Sequence, residues 1–468
     1  MVEFGKSITI RETPIPGLLL LDLPVFGDSR GWFKENWQRE KMVAAGLPDF
    51  GPVQNNISFN DEVGVTRGIH AEPWDKYVSI ATGKIFGAWV DLREGPTFGA
   101  VFTAELDPSM AIFVPSGVAN SYQTLEPNTA YVYLVNDHWS ANAQYTFVNL
   151  NDSTANIPWP FPLENALVSD KDFAHPQLAD VVPMRPKGVL VIGGNGQLGQ
   201  SLLNEFPHAR FVTRRELDIT DSDQLAGIPW SDFSTVINAS AYTKVDEAET
   251  AEGRRIAWDT NVDGVAALVE KCREHRLLLV HVSSDYVFDG TATSPYSERE
   301  PMAPLGVYAQ TKAAGDALVA TLPRHYIVRT SWAIGDGANF VRTMIRLAEN
   351  GVDPKVVNDQ VGRLTFTQDL AAGIRHLVDV RPPFGSYNVT NDGPTASWAE
   401  IAAQVFELAG HDPARVTGVS TDEYFASAPH SAPRPLYSVL DLALIKGSGF
   451  ALPTWPDRLR EYVARAQS

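Results

Sequence analysis

Cysteine is almost absent from this chain: Cys272 stands alone among 468 residues. One thiol cannot build an intrachain disulfide framework or a thiolate metal site, and that usage fits a reducing, cytoplasmic setting. Positive charge is also scarce, with 38 Lys and Arg against 56 Asp and Glu, a formal charge of -18. Such a field repels phosphate backbones and argues against a nucleic-acid partner, yet a few local arginines can still hold a small anionic substrate. Long apolar runs are missing too. The run Ile15 to Leu23 is broken by Pro16, Gly17 and Asp22, and no stretch reaches the roughly 18 apolar residues of a membrane span. What is there, 44% hydrophobic and 20% charged residues, is ordinary globular composition in a chain long enough for two cores.

The texture changes once along the chain. Up to about residue 165, short β-rich segments such as Lys76 to Ala81, Ile85 to Asp91 and Thr129 to Val135 alternate with turn signals such as Glu94-Gly95-Pro96, the spacing of a sandwich or barrel. Residues 166–186, punctuated by Pro176, Pro183 and Pro186, read as a linker. From 187 to 468 apolar strands alternate with helical segments, which predicts a parallel sheet with crossover helices.

In this second part, Val189 to Ile192 runs into Gly193-Gly194-Asn195-Gly196-Gln197-Leu198-Gly199 and then a helical segment. Glycines between a strand and a helix permit a tight turn and bring a pyrophosphate to free N–H groups at the helix N-terminus. The next strand ends in Thr213-Arg214-Arg215 rather than an acid. Guanidinium groups there suit a 2′-phosphate and favour NADPH over NADH, against the plainer reading of a solvated basic turn. Tyr308 and Lys312, four apart, share a helix face. An ammonium near a phenol favours phenolate, so Lys312 is expected to draw the Tyr308 pKa down toward neutrality. Ser284, at the end of a predicted strand from Leu277, supplies a hydroxyl that can converge with Tyr308 and Lys312 where parallel-sheet ligands bind.

These segments, with Asn238-Ala239-Ser240-Ala241, Val282 to Gly290 and Ala432-Pro433-Arg434-Pro435, resemble the extended short-chain dehydrogenase/reductase superfamily, and within it the dTDP-4-dehydrorhamnose reductases. The resemblance implies a Rossmann-type sheet with a smaller substrate-binding subdomain and reduction of a C4 ketone. Tyr308 would protonate the alkoxide, Lys312 would tune it and hold the nicotinamide ribose, and Ser284 would hydrogen-bond the oxygen. Ala239 and Ala241 would border the cofactor, while Trp398 and Arg434 would fall near the sugar nucleotide. Magnesium accompanies some relatives, but no acids here are assigned to it.

The first part carries Asp28 to Glu35, Gln54 to Ser58, Thr66 to His70 and Lys76 among its strands. Strand alternation lets His70 and Lys76 face one lumen. His70 alone leaves a hydrogen-bonded core histidine open, and a cupin-type metal is disfavoured because no second histidine clusters nearby in sequence. With Val90 to Gly99, Val114 to Asn120, Tyr131 to Tyr133 and Asn151-Asp152, the segments resemble dTDP-4-dehydrorhamnose 3,5-epimerases, which implies an all-β, cupin-like jelly roll and dimer formation. By that resemblance His70 is the base, Asp152 its carboxylate partner, Tyr133 the opposing acid and Lys76 the enolate stabiliser. Arg30 and Arg67 would meet the diphosphate, and Glu35, Gln54 and Asn56 the nucleotide. Asn120 replaces the family's histidine, and the region after His138 departs from the usual loop. The whole implies a bifunctional enzyme of dTDP-rhamnose synthesis. A reductase acting on a related 4-keto deoxysugar nucleotide, joined to a single-centre epimerase or to a first half that only binds nucleotide sugar, stays open.

Overall fold

The computed structural model describes residues 4–139, 145–426 and 431–467. The chain divides into two compact units, Met1–Pro186 and Lys187–Ser468.

The first unit is a sandwich of two antiparallel sheets. One runs in the order Thr9–Glu12, Leu19–Asp22, Met110–Val114, Lys76–Thr82, Thr129–Val135, Gln54–Asn60. The other runs Thr146–Phe147, Thr66–Ala71, Val118–Thr124, Ile85–Asp91, Val101–Leu106. This is the all-β, cupin-like architecture expected. Gln54–Asn60 shows why the sequence pairs this way: exposed Asn55, Ile57 and Phe59 alternate with half-buried Gln54, Asn56 and Ser58, the period of a strand with one inward face. Between the sheets lie Val78, Ile80, Trp89, Ile112 and Val118, and Tyr122 of one sheet stacks on Tyr131 of the other at 4.3 Å.

Residues 166–186 correct the linker reading. Leu178, Val181 and Met184 are buried against Ile69, Val148 and Leu150, and burying each such side chain is worth about 1.5–3 kcal/mol. Backbone bonds tie the segment down, from Asn149 N–H to the Pro176 carbonyl at 2.8 Å and from Met184 N–H to the Leu92 carbonyl at 2.7 Å. Prolines here punctuate a strap of short helical turns, Asp170–Phe173 and Leu178–Asp180, laid on the sandwich, and the apolar residues spaced every three positions carry its packing.

In the second unit six parallel strands run Arg210–Val212, Gly188–Ile192, Phe233–Asn238, Leu278–Ser284, His325–Thr330, Gly385–Asn388. Adjacent residues of a strand serve opposite faces: Leu190, Val236 and Leu279 join one core, Val191, Ile237 and Val280 the other. Both faces are covered, as a parallel sheet requires. The strand order reverses at Gly188–Ile192, so a crevice opens beyond its carboxyl end, where ligands of such sheets bind. A smaller subdomain packs helices Phe340–Glu349, Trp398–Leu408 and Trp455–Gln467 around a separate core. Ser397 and Glu400 form a capping box that fixes the start of the Trp398 helix.

Candidate active sites

The sandwich holds a cavity of about 520 Å³ lined by Gln54, Asn56, His70, Glu72, Tyr133 and Phe147, among others. His70 sits on the strand Thr66–Ala71 and Tyr133 on Thr129–Val135, so the two project from facing sheets. Lys76 is buried and bridges the sheets. Its ammonium donates to Glu72 at 2.5 Å and to the Asn120 amide oxygen at 2.7 Å, and lies 5.4 Å from the Tyr133 ring centroid. Asn120 pairs in register with His70 and works as an acceptor that aims Lys76, a task that needs no titratable group. Burial raises the Tyr133 pKa, and the nearby Arg67 charge offsets only part of this, so the phenol keeps its proton.

The carboxylate partner of His70 is Asp172, not Asp152. His70 Nε2 lies 3.0 Å from Asp172 Oδ1. Burial pushes the Asp172 carboxyl up, but the hydrogen bond and charge of His70 outweigh it and hold the group below its ordinary range. The carboxylate favours the Nε2–H tautomer and leaves the lone pair on Nδ1. Asp152 spends its buried carboxylate on backbone, accepting from the N–H groups of Thr154, Ala155 and Leu178 at 2.7–2.8 Å. It braces the turn that receives the strap. The structure also supplies the second histidine that sequence proximity hides: His175 Nε2 is 4.0 Å from the same Asp172 oxygen.

Of the other expected nucleotide contacts, Gln54 and Asn56 line the cavity and hydrogen-bond each other at 2.9 Å. Arg30, Glu35 and Arg67 are not in its wall. Arg30 is 87% exposed and paired with Asp28, Glu35 pairs with Lys41 at 2.6 Å, and Arg67 donates to Asn60 at 3.3 Å. Part of the divergent region after His138 lies outside the described residues. Glu72, Asp172 and His175 were missed from sequence.

Two cavities flank the switch point of the second unit. One, about 460 Å³, is lined by Gly193, Asn195, Gly196, Arg214, Ala239 and Ala241. Gly193 has φ +86°, and a Cβ on Gly199 would sit 2.3 Å from the Gly193 carbonyl oxygen, so the helix can approach the turn only with glycine at both. Arg214 reaches the wall but donates to Asp218 at 2.9 Å, and Asp218 is an acid in this cavity that sequence reasoning missed. Arg215 is exposed and lines neither cavity.

The other cavity, about 340 Å³, gathers Gln197, Leu198, Ser284, Tyr308, Lys312 and Trp398. Trp398 stacks on Trp332 at 3.9 Å, a wall residue not foreseen. Arg434 is outside this wall, held by Asp246 at 2.8 Å and lying over the Phe425 ring. The expected tuning of Tyr308 by Lys312 is corrected. Burial holds the Tyr308 phenol well above its ordinary range, and a hydrogen bond with Ser284 opposes this only in part. Lys312 donates to the Val282 carbonyl at 2.8 Å and faces His281 Nε2 at 3.2 Å. Burial lowers its pKa to about 8, with Asp316 pulling the other way.

A histidine–carboxylate pair facing a tyrosine across an antiparallel sandwich defines a proton-transferring isomerase, and a Ser–Tyr–Lys set over a Rossmann-type crevice defines a short-chain reductase. Comparison with known proteins makes both particular. Residues 12–180 match the family model for dTDP-4-dehydrorhamnose 3,5-epimerase, and residues 187–468 the RmlD substrate binding domain model. A Streptococcus pyogenes RmlC homolog is 52% identical over 39% of this chain and 96% of its own length. A dTDP-4-dehydrorhamnose reductase of Aggregatibacter actinomycetemcomitans is 36% identical over 60% of this chain and 99% of its own. The crystal structure of a Bacillus anthracis dTDP-4-dehydrorhamnose reductase in complex with NADP is 33% identical, covers 60% of this chain and 99% of that one, and superposes with a TM-score of 0.55. The chain belongs to the dTDP-4-dehydrorhamnose 3,5-epimerase family in its first unit and to the RmlD reductase family in its second.

Proposed function

We propose that this chain converts dTDP-4-dehydro-6-deoxyglucose to dTDP-rhamnose in two steps, inversion at C3 and C5 followed by reduction at C4. In the first unit His70 Nδ1 removes the proton α to the ketone, and Asp172 stabilises the imidazolium that forms. Lys76 neutralises the enolate oxygen. Tyr133, on the facing sheet, returns a proton to the opposite side of the carbon, which is what inversion needs.

In the second unit the turn from Gly193 to Leu198 with Ala239, Ala241 and Arg214 would hold NADPH, which when bound would supply hydride for C4. Tyr308, kept protonated by burial, gives its proton to the developing alkoxide. Ser284 donates to the same oxygen, and the Lys312 ammonium supports the charge that passes through it. The NADP bound to the Bacillus anthracis relative supports the phosphorylated cofactor. Magnesium is given no residues.

Outward-facing Ile57 and Phe59, 67% and 55% exposed on an edge strand, support self-association as a dimer through the first unit. Among the described residues no helix is long and apolar enough to cross a membrane, and the acidic, cysteine-poor composition supports a cytoplasmic setting. The observation that carries the reading is one chain holding both the His70–Asp172 pair and the Ser284–Tyr308–Lys312 set, each in its own cavity. Incubating the protein with dTDP-4-dehydro-6-deoxyglucose and NADPH and identifying the sugar tests it: rhamnose supports it, and a product with the starting C3 and C5 configuration contradicts it.

A further inference from the structure

His175 is a buried imidazole with nothing to do. Its side chain is 6% exposed, and neither ring nitrogen closes a hydrogen bond of good geometry, although the Val148 backbone lies beside it. An unpaired buried polar group of this kind opposes folding, so the fold holds it at a loss. The ring stacks on Phe147 at 4.7 Å and meets His70 edge-on at 5.2 Å. One ligand atom each from His70, Asp172 and His175 fall within 4.8 Å of one another.

We propose that His70, Asp172 and His175 form a binding site for a divalent transition-metal ion of the zinc class, and that occupancy switches epimerisation off. Two histidines and one carboxylate are a common set for such ions, with further positions open to water. Ligand atoms around zinc stand about 3–3.5 Å apart. The His70–Asp172 separation of 3.0 Å already meets this, and the His175–Asp172 separation of 4.0 Å would shorten on binding. Lys171, on the cavity wall beside Phe147, is the nearby cation that opposes the ion.

The inhibition follows from tautomer chemistry. Without metal, Asp172 holds the proton on His70 Nε2 and the Nδ1 lone pair is free to take a substrate proton. An ion bound at Nε2 moves that proton to Nδ1 in the neutral ring, with no net release, and the base is lost while its side chain stays in place. His175 takes no part in the proton transfer itself.

This inference rests on the first unit being an epimerase, so the test reads binding and activity separately. The full chain is titrated with Co²⁺, followed by its visible absorption, and with Zn²⁺, followed by solvent deuterium exchange at C3 and C5 without NADPH. One Co²⁺ per chain is expected, with exchange reduced at least tenfold by stoichiometric Zn²⁺ and restored by a chelator. His175→Phe, which keeps the stack on Phe147, is expected to exchange at near the parent rate and to need at least tenfold more Zn²⁺ for inhibition. His175→Asn serves if the phenylalanine variant does not fold. Lys171→Met is expected to tighten Co²⁺ binding. Absence of bound Co²⁺, binding without inhibition, or equal Zn²⁺ sensitivity in the His175 variants overturns the proposal. A parent that binds Co²⁺ but exchanges no proton before metal is added contradicts the epimerase reading instead.

Discussion

The two halves of this chain do proton chemistry beside a ketone with opposite architectures. In the reductase unit Tyr308 and Lys312 stand four residues apart on the helix Val307–Val319, and Lys312 is 2% exposed. In the epimerase unit His70 is part-exposed on a strand, and its carboxylate partner Asp172 arrives from 102 residues further along, on a strap held by its own apolar packing. One site is set by a local helical repeat and a dry environment, the other by a long-range tertiary contact. The reductase should therefore be governed by burial of its ionisable groups, and the epimerase by whether the strap stays docked.

The largest separation comes from crossing the two sites. His70→Asn should lower deuterium exchange at C3 and C5 by about 10³-fold, within the range for a lost general base, while a pre-epimerised substrate is still reduced at the parent rate. Tyr308→Phe should do the reverse, with NADPH oxidation down by about 10³-fold and exchange intact. A variant that lost both activities would break the independence of the halves.

Next in size, Asp172→Asn should slow exchange by about 10²-fold through loss of the imidazolium partner, whereas Asp152→Asn should leave exchange nearly unchanged. Asp152→Asn should instead destabilise the first unit by about 1–3 kcal/mol, since a backbone donor loses its acceptor, read as a lower melting temperature of its transition. The reverse pattern would restore Asp152 as the catalytic carboxylate.

The pH effect is smaller. Lys312 is lowered to about 8 by burial and must be charged, so the reduction rate should hold level below pH 8 and fall, up to tenfold per unit, above it. Tyr308 is raised by burial and adds no second fall in that range. Rising activity between pH 8 and 9 would contradict the assignment. The smallest effect is expected of Asn120→His, a change within a few-fold in exchange, because Asn120 already accepts from Lys76.

What could be read from sequence follows the same division. Tyr308 and Lys312, Ser284 at a strand end and the Gly193–Gly199 turn are local patterns whose spacing carries geometry, and each lines its cavity or shapes it. Local spacing carried no information about which charges are already committed, so the pairing of Arg214 with Asp218 and of Arg434 with Asp246, and the weight of burial on Tyr308, were not legible. In the first unit His70 and Lys76 were legible from alternation, and Tyr133 only through the resemblance to the epimerases. Asp172 was not, because prolines disguised its segment as a linker and because Asn151-Asp152 offers an equally good carboxylate to a reader who cannot see that backbone N–H groups occupy it. Leu178, Val181 and Met184, spaced by three among those prolines, were the available signal that residues 166–186 belong to the fold.

The central claim is that both chemistries occur in succession on one substrate. It is tested most directly by running the full reaction in D₂O with NADPH and measuring deuterium at each ring carbon of the product. The expected product is dTDP-rhamnose carrying solvent deuterium at C3 and C5, none at C4, with one NADPH oxidised per sugar. NADPH oxidation with no deuterium at C3 or C5 would contradict it, leaving a reductase joined to a silent domain.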